Sequence, residues 1–149
     1  MRLKLAQLTK QNLDYIYSNL RPYDRLELDY YGVNEKNVDM HLNQAVSLCG
    51  LTGGKPFIAF GACEAGECVF VFLFGTPLID KHWFSVHRMA RAFLRLVQDK
   101  YPDKSITVCV WEGHTQSVDW LKRLGFRETA FKNEFNGQPF VVMELRELL

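Results

Sequence analysis

The sequence predicts one mixed α/β domain, and three observations lead to this fold class. The chain has 149 residues, the length of one ordinary domain. Hydrophobic residues make up 48% of it and charged residues 23%, which is typical of soluble globular proteins. Apolar patterns with the period of strands and of helices follow one another along the chain, and a strand–helix–strand order in the second half indicates a parallel pair with a right-handed crossover.

The first elements are predicted to be a strand and two helices. Residues 3–8 alternate apolar and polar side chains, which indicates a half-buried strand. Thr9 is expected to cap a helix, and Pro22 is expected to end or kink it. The charged, aromatic residues 23–31 are predicted to be helical, and Gly32 would stop that helix.

A meander of strands is predicted to follow. Residues 37–48 have the pattern of an amphipathic helix, and residues 46–52 are expected to pass into a strand. The apolar runs 57–62 and 68–74 are separated by the turn residues 64–67, so they indicate a β-hairpin.

The second half is predicted to be helix, strand, helix and hairpin. A helical stripe runs from residue 81 or 85 to 101, and the β-branched residues 106–110 indicate a strand. Thr115 is expected to cap a short helix that Gly125 ends. The closing hairpin combines residues 127–134 and 140–145 around the turn Asn136-Gly137.

Charge and composition exclude several function classes. The formal net charge is +1, so no strong nucleic-acid signal and no attraction to anionic membranes is expected. No apolar run approaches the roughly 18 residues of a membrane span, and the first residues do not resemble a signal peptide. The four cysteines form no CxxC pair, which favours buried, reduced thiols in a cytoplasmic protein and no metal site.

One stretch has a more specific pattern than the rest. The strand of residues 106–111 is followed by His114, Ser117, Trp120-Leu121 and Leu124-Gly125-Phe126. This spacing resembles the second motif of the GNAT superfamily of acyl-CoA-dependent N-acyltransferases. The resemblance implies a mixed, mostly antiparallel sheet with one splayed parallel strand pair, helices on both faces and a C-terminal β-hairpin.

The same resemblance implies an acetyl-CoA site. In the family, pantetheine lies along the opened strand, here residues 68–75, and the pyrophosphate lies at the start of the following helix. Ser117 would face the pantetheine, although a small residue there is also explained by close packing. The other residues implied as cofactor-binding are Phe72, Leu73, Phe74, Lys81, Ser85 and Val86.

Two departures from the family pattern affect the chemistry. The family's phosphate loop has glycines, but no glycine occurs between Gly75 and Gly113 in this chain. Many members have a tyrosine that protonates the leaving thiolate, and here Leu121 occupies that position.

Candidate catalytic and substrate-binding residues follow from the motif and from one early segment. His114 or Glu112 could remove a proton from an amine that attacks the thioester directly. A capping histidine and a solvated carboxylate are the alternatives. Arg21, Asp24 and Glu27 would form one polar edge of a helix near the acceptor, or a surface ion-pair edge.

A second function class remains open. The early segment 21–27, Gly75-Thr76-Pro77 and the ending 120–126 also resemble small GNAT-like proteins of short-tailed bacteriophages. Such a protein could be an inactive virion or ejection component, or bind a host protein, and would occur in the host cytoplasm or the virion. The partner is therefore an amine acceptor or a protein, and the closing hairpin could pair with a second copy in a homodimer.

Overall fold

The computed structural model describes residues 3–149, and within this range a single sheet of seven strands carries helices on both faces. The strands are β1 (Leu3–Gln7), β2 (Val46–Thr52), β3 (Lys55–Ala65), β4 (Cys68–Gly75), β5 (Ser105–Trp111), β6 (Phe126–Phe135) and β7 (Gln138–Leu145). The helices are α1 (Lys10–Ser18), α2 (Pro22–Tyr31), α3 (Leu78–Lys81), α4 (Trp83–Lys100) and α5 (Thr115–Leu124), with a 3₁₀ helix at Val38–Asn43.

The strand order confirms the predicted fold class. The strands follow the order β1-β2-β3-β4-β5-β7-β6, and within the described residues only β4 and β5 pair in parallel. The other neighbours are antiparallel, because hairpins or short connections join most of them. The long helix α4 makes the crossover between the parallel strands.

The sheet separates two hydrophobic cores. The larger core lies under α4 and α5, and the smaller one lies under α1 and the 3₁₀ helix. The predicted stripe of α4 is confirmed, because these side chains are all buried: Val86, Met89, Ala90, Phe93, Leu94 and Val97. Burying six such side chains contributes on the order of 10 kcal/mol before the entropy cost, which explains why α4 is the longest helix.

Helix boundaries confirm some predictions and correct others. The Thr9 hydroxyl accepts the Asn12 N–H and caps α1 as expected. Pro22 was predicted to end this helix, but α1 ends at Ser18 and Pro22 begins α2, where its missing N–H costs nothing. The predicted cap of α5 is also wrong, because His114 is the N-cap residue and Thr115 lies inside the helix.

The largest correction concerns residues 37–48, which do not form an amphipathic helix. A 3₁₀ helix occupies Val38–Asn43, and the chain is already extended at Val46. The apolar residues that suggested a helix are instead divided between the 3₁₀ helix and β2, where pairing with β1 and β3 decides the conformation.

The turns and cysteines give mixed results. The Asn136-Gly137 hairpin is confirmed, with both residues at positive φ, 51° and 76°. Its first strand, β6, is one edge of the sheet, while pairing with a second copy stays a prediction.

Cys49 is buried as expected, but Cys63 is exposed, so the expectation of four buried thiols is wrong.

Candidate active site

A cleft opens where β4 and β5 diverge. The two strands pair only from Cys68 to Phe70 and from Ser105 to Thr107. Beyond that point they enclose a cavity of about 320 Å³. Its walls are mostly apolar, and its polar lining side chains include Glu27 on one face of the sheet and Ser117 on the other. The cleft therefore passes between the strands and reaches both faces.

Helix α2 crosses the wide end of this cleft and holds both strand ends. The Asp24 Oδ2 atom accepts the Gly75 N–H at 2.8 Å, at the end of β4. One turn later, the Glu27 Oε2 atom accepts the Trp111 N–H at 3.2 Å, at the end of β5. Two carboxylates spaced i, i+3 thus satisfy one backbone donor at the end of each strand, where strand pairing is missing.

Arg21 completes the attachment of α2 to β4. Its guanidinium binds the Asp24 carboxylate, with Nη2 to Oδ1 at 3.0 Å. The backbone N–H of Arg21 donates to the Gly75 carbonyl at 2.9 Å. Its Nη1 atom also reaches Asp80 Oδ1 at 3.3 Å, on α3. Arg21 and Asp24 are both buried, so two of the three residues predicted to bind substrate are occupied by contacts within the protein.

The free edge of β4 presents selected backbone groups to the cleft. Backbone groups alternate in direction along a strand. The Glu67 carbonyl accepts the Ser105 N–H, and Gly75 bonds toward α2, so odd-numbered residues of β4 face the side of β5. The N–H and C=O groups of Val71 and Leu73 therefore point into the cleft.

The same alternation separates the three residues predicted to bind pantetheine. Leu73 directs its backbone to the cleft, whereas Phe72 and Phe74 pair with β3 and line the cavity through their side chains. Both rings stand edge-on to the buried His41, at centroid distances of 4.6 and 5.2 Å. Sequence patterns did not single out His41, which lies in the mispredicted segment.

A carboxylate, an imidazole and a hydroxyl form a row beside the cleft. The Nδ1 atom of His114 lies 3.4 Å from Glu27 Oε2, and its Nε2 atom lies 3.2 Å from Ser117 Oγ. His114 is buried, at 3% exposure, and the Tyr23 ring stacks on it at 5.2 Å with an interplanar angle of 11°. The structure thus brings together three residues that were predicted for three different roles.

The environment changes the acidity of Glu27. Burial raises the pKa of its carboxyl above the ordinary value of 4.5, while His114 opposes the rise. The nearby Asp24 raises that pKa further, and the Trp111 N–H lowers it. A buried carboxyl with a raised pKa next to an imidazole is suited to a role in proton transfer.

Glu112, the other predicted base, lies elsewhere. It is exposed in the turn after β5, and its N–H donates to the Pro139 carbonyl. Glu27, by contrast, lines the cleft. The i, i+3 spacing of Asp24 and Glu27 on one helix was the sequence signal for this position, but the pairing with His114 depends on tertiary structure.

The loop where the family binds phosphate has a different construction here. Helix α3 runs directly into the predicted phosphate loop, residues 81–86, and several of its N–H groups are used internally. The Leu78 N–H donates to the Thr76 hydroxyl, the Asp80 N–H to the Pro77 carbonyl, and the His82 N–H to carbonyls of α3. A helical turn therefore replaces the open glycine loop that the resemblance implies.

The first turn of α4 still presents backbone donors. The first helical bond runs from the Val86 N–H to the His82 carbonyl, so the three preceding N–H groups have no partner inside the helix. Phe84 does not fill this position, because its side chain is 86% exposed. The predicted Lys81 is exposed and Ser85 is half-buried, whereas the Val86 side chain lies fully in the core.

A second pocket adjoins this helix start. It has a volume of about 310 Å³ and is lined by Asp80, Trp83, Gln116 and Arg123. The Trp83 ring packs on Trp120 at 5.2 Å, and Trp120 also lines the cleft. The two tryptophans therefore stand between the second pocket and the cleft.

No tyrosine replaces Leu121 on its own helix, but one lines the cleft from α2. Leu121 is buried and belongs to the cleft wall. Tyr31 also lines the cleft, and it packs on Phe135 at 4.6 Å. Burial raises the pKa of the Tyr31 hydroxyl above 10.0, and neighbouring thiols add to the rise, so it remains protonated at neutral pH.

Residues 3–149 contain neither a candidate metal site nor a membrane-spanning helix. No group of three acidic, histidine or cysteine side chains in this range could hold a metal ion. No helix in the same range is long and apolar enough to cross a membrane.

Solved structures resemble this chain over nearly its whole length, although no family model and no curated protein matches it. The ribosomal-protein-S18-alanine N-acetyltransferase of Escherichia coli is 12% identical, with TM-score 0.67 and coverage of 97% of this chain and 93% of that one. A Bacillus subtilis acetyltransferase in complex with CoA is 13% identical, with TM-score 0.69 and 99% of each chain covered.

A third structure carries the family name. An acetyltransferase of the GNAT family from Bacillus anthracis is 13% identical, with TM-score 0.71 and coverage of 97% of this chain and 94% of that one. At sequence identities this low, the structural similarity shows the fold alone. The activity has to be inferred from the site. The splayed β4–β5 pair, the crossover helix and the closing hairpin together show that this chain has the GNAT acetyltransferase fold.

Proposed function

We propose that this protein is an acyl-CoA-dependent N-acyltransferase that uses the β4–β5 cleft. The observation that carries the proposal is the free edge of β4, where Val71 and Leu73 direct backbone groups into a cavity of about 320 Å³. An extended pantetheine arm can bond to such an edge as a strand would. The Leu73 N–H is then a donor for the thioester oxygen as negative charge develops on it.

The amine acceptor would enter from the face that carries α2. Glu27 and His114 lie on this side of the strand ends, and Tyr31 forms part of the wall. Glu27 in its carboxylate form orients the imidazole and stabilises the imidazolium that forms when His114 accepts the amine proton. Because the pKa of Glu27 is raised, the transfer rate should increase with pH as this carboxyl ionises.

The phosphates of the cofactor would lie at the start of α4. Backbone N–H groups before Val86 and the positive end of the helix dipole favour anions there. Arg123 in the adjoining pocket and Lys81 on α3 supply charge. These contacts differ from a glycine loop, so the phosphate affinity depends on side chains more than in the family pattern.

Calorimetric titration with acetyl-CoA, followed by an acetylation assay on a panel of primary amines, tests this function. Saturable binding should raise the melting temperature by mass action, and at least one amine should be acetylated with release of free thiol. Ser117→Trp should abolish binding by filling the cleft, while Ser18→Trp on the exposed end of α1 should not. No melting shift at millimolar acetyl-CoA would overturn the proposal.

A second candidate is a non-catalytic protein on the same fold, and one observation favours it. Helix α3 uses N–H groups of the segment before α4 for its own bonds, so fewer backbone donors remain there for a pyrophosphate. On this alternative, which includes a phage virion or host-interaction protein, acetyl-CoA would neither bind nor turn over. Affinity capture with the wild-type protein would then identify a protein partner instead of a small amine acceptor. A variant with a substitution on an exposed surface would serve as the matched control.

A further inference from the structure

The row of Glu27, His114 and Ser117 has the geometry of a nucleophile with its base. The carboxylate faces Nδ1 of the imidazole at 3.4 Å, and the hydroxyl faces Nε2 at 3.2 Å. With Nδ1 protonated toward the carboxylate, Nε2 is free to accept the hydroxyl proton. The Nε2–Oγ contact is a hydrogen bond, whereas the Nδ1–Oε2 contact is too long or too bent to be one, and such gaps are common in sites of this kind before substrate binds.

Two separate elements, α2 and the start of α5, build this row, so it is more than a local contact at a helix start. His114 and Ser117 are neighbours at the beginning of α5, where a hydroxyl–imidazole contact could be purely structural. Glu27 comes from α2 on the opposite face of the sheet and is fixed by the Trp111 N–H. Burial of His114 and stacking by Tyr23 hold the ring between the two partners, although its Nδ1 atom makes no hydrogen bond.

Ser117 lies in surroundings that suit acyl chemistry. It is half-buried and lines the cleft opposite the free edge of β4. Its place in the first turn of α5 puts the positive end of the helix dipole near its oxygen, which favours an alkoxide-like transition state. Leu121 one turn later has no proton to give, so the leaving thiolate needs another donor.

We propose that Ser117 is a covalent nucleophile, so that acyl transfer proceeds in two steps through an acyl-serine. In the first step, the Ser117 Oγ attacks the thioester carbonyl while His114 Nε2 takes its proton. The C–S bond then breaks, and the imidazolium gives that proton to the leaving sulfur, releasing free CoA thiol. This route supplies the proton donor that Leu121 lacks, and it rests on the proposed acyl-CoA function of the same cleft.

The second step reverses the roles of the same groups. The acceptor amine attacks the Ser117 ester, and His114 Nε2 accepts the amine proton. The C–O bond breaks and the imidazolium returns the proton to Ser117 Oγ, so the enzyme is regenerated and the product is an amide. No oxidant, metal or further reactant is needed, and Glu27 stabilises the imidazolium in both steps.

The decisive experiment measures exchange of labelled CoA into acetyl-CoA in the absence of an amine. A two-step route makes this exchange possible, because CoA departs before any acceptor binds, whereas direct attack does not. Ser117→Ala should reduce exchange by about a thousandfold or more. Ser117→Cys should retain an acyl adduct, and Ser18→Ala on α1 should behave as wild type.

A second readout detects the nucleophile without the cofactor. p-Nitrophenyl acetate should give a burst of nitrophenol with the wild type, and a fluorophosphonate probe should label the peptide that contains Ser117. Both signals should disappear in Ser117→Ala. The acyl adduct should be sensitive to hydroxylamine, which distinguishes the ester from lysine acetylation.

The outcomes separate this proposal from the function on which it rests. If the wild type acetylates an amine but shows no exchange, and Ser117→Ala keeps its rate, the direct-attack transferase stands and the acyl-serine is overturned. If acetyl-CoA does not bind, the transferase function fails, while the activated ester and the probe still decide the nucleophile. Absence of burst and labelling overturns the acyl-serine in that case too.

Discussion

The two ends of the proposed cofactor path are built differently. At the acyl end, Glu27 from α2 meets His114 and Ser117 from the start of α5 beside the free edge of β4. At the phosphate end, α3 uses its own N–H groups, and Trp83 packs on Trp120 between the second pocket and the cleft. Polar groups at the acyl end face one another across the fold, whereas those at the phosphate end are mostly satisfied locally.

This difference indicates that cofactor affinity and the rate of the chemical step can vary separately on one scaffold. A glycine loop holds phosphate through the backbone, so its loss transfers that task to side chains and to the first turn of α4. The acyl end needs accurate placement of a few side chains, and the two strand ends provide it. Variants of the two ends should therefore show different signatures, in rate at one end and in affinity at the other.

The largest expected effect is on the rate, from His114→Asn. This change keeps the polar residue that the family often has at the strand end but removes the acid–base group, so the acetyl transfer rate should fall by about 10²- to 10⁴-fold. Acetyl-CoA affinity by calorimetry should stay the same. Thr115→Ala, at the exposed neighbouring position, is the matched control. An equal fall in affinity and rate would show that His114 binds the cofactor instead.

The next effect concerns stability, from Asp24→Ala on α2. The change leaves the buried Arg21 and the Gly75 N–H without their carboxylate, which should lower the free energy of unfolding by about 3–5 kcal/mol in urea denaturation. Asp29→Ala on the exposed side of α2 should change it by about 0.5 kcal/mol or less. Similar values for both variants would mean that the α2 attachment does not stabilise the strand ends.

A smaller effect is expected on cofactor affinity, from Arg123→Ala. If phosphates lie in the second pocket, removing this charge should weaken acetyl-CoA binding about tenfold, or about 1.4 kcal/mol, and leave the saturated rate unchanged. Lys122→Ala is the control, since Lys122 makes only an exposed ion pair with Glu128. Identical dissociation constants for the two variants would place the phosphates elsewhere.

The smallest effect is the pH dependence of stability that His41 contributes. Burial lowers the pKa of His41 below 6.5, so the unfolded chain binds a proton more readily than the folded protein. This contribution to stability is present above pH 6.5 and decreases as the pH falls below it. Denaturation of His41→Asn across this range should show a flatter slope than the wild type, and an unchanged slope would contradict the assignment.

The order of elements was predictable because it depends on local patterns. The α4 stripe, the Thr9 cap and the Asn136-Gly137 turn are each specified by a few neighbouring residues. Residues 37–48 were mispredicted because apolar residues at helical spacing also satisfy a 3₁₀ helix followed by a strand. Pairing with β1 and β3, which involves distant residues, decided between these structures.

The site was predictable only in part, for a similar reason. His114 and Ser117 belong to a compact motif, so the resemblance identified them. Glu27 was assigned to substrate because its helix face was visible in the sequence, but its contact with His114 was not. The conformation of the predicted phosphate loop could not be predicted either. The turn that forms α3 depends on the Thr76 hydroxyl and on the hydrogen bond from the Gly75 N–H to Asp24.

The attachment of α2 to both strand ends has a consequence for ligand entry. Asp24 and Glu27 are separated by one helical turn, a rise of about 4.5 Å along the axis, and each holds one strand. The helix acts as a fixed spacer, so the gap between β4 and β5 is preorganised when the chain folds. An incoming ligand therefore does not have to separate the two strands. Association should then proceed without a slow opening step, and its rate should be governed by diffusion and charge.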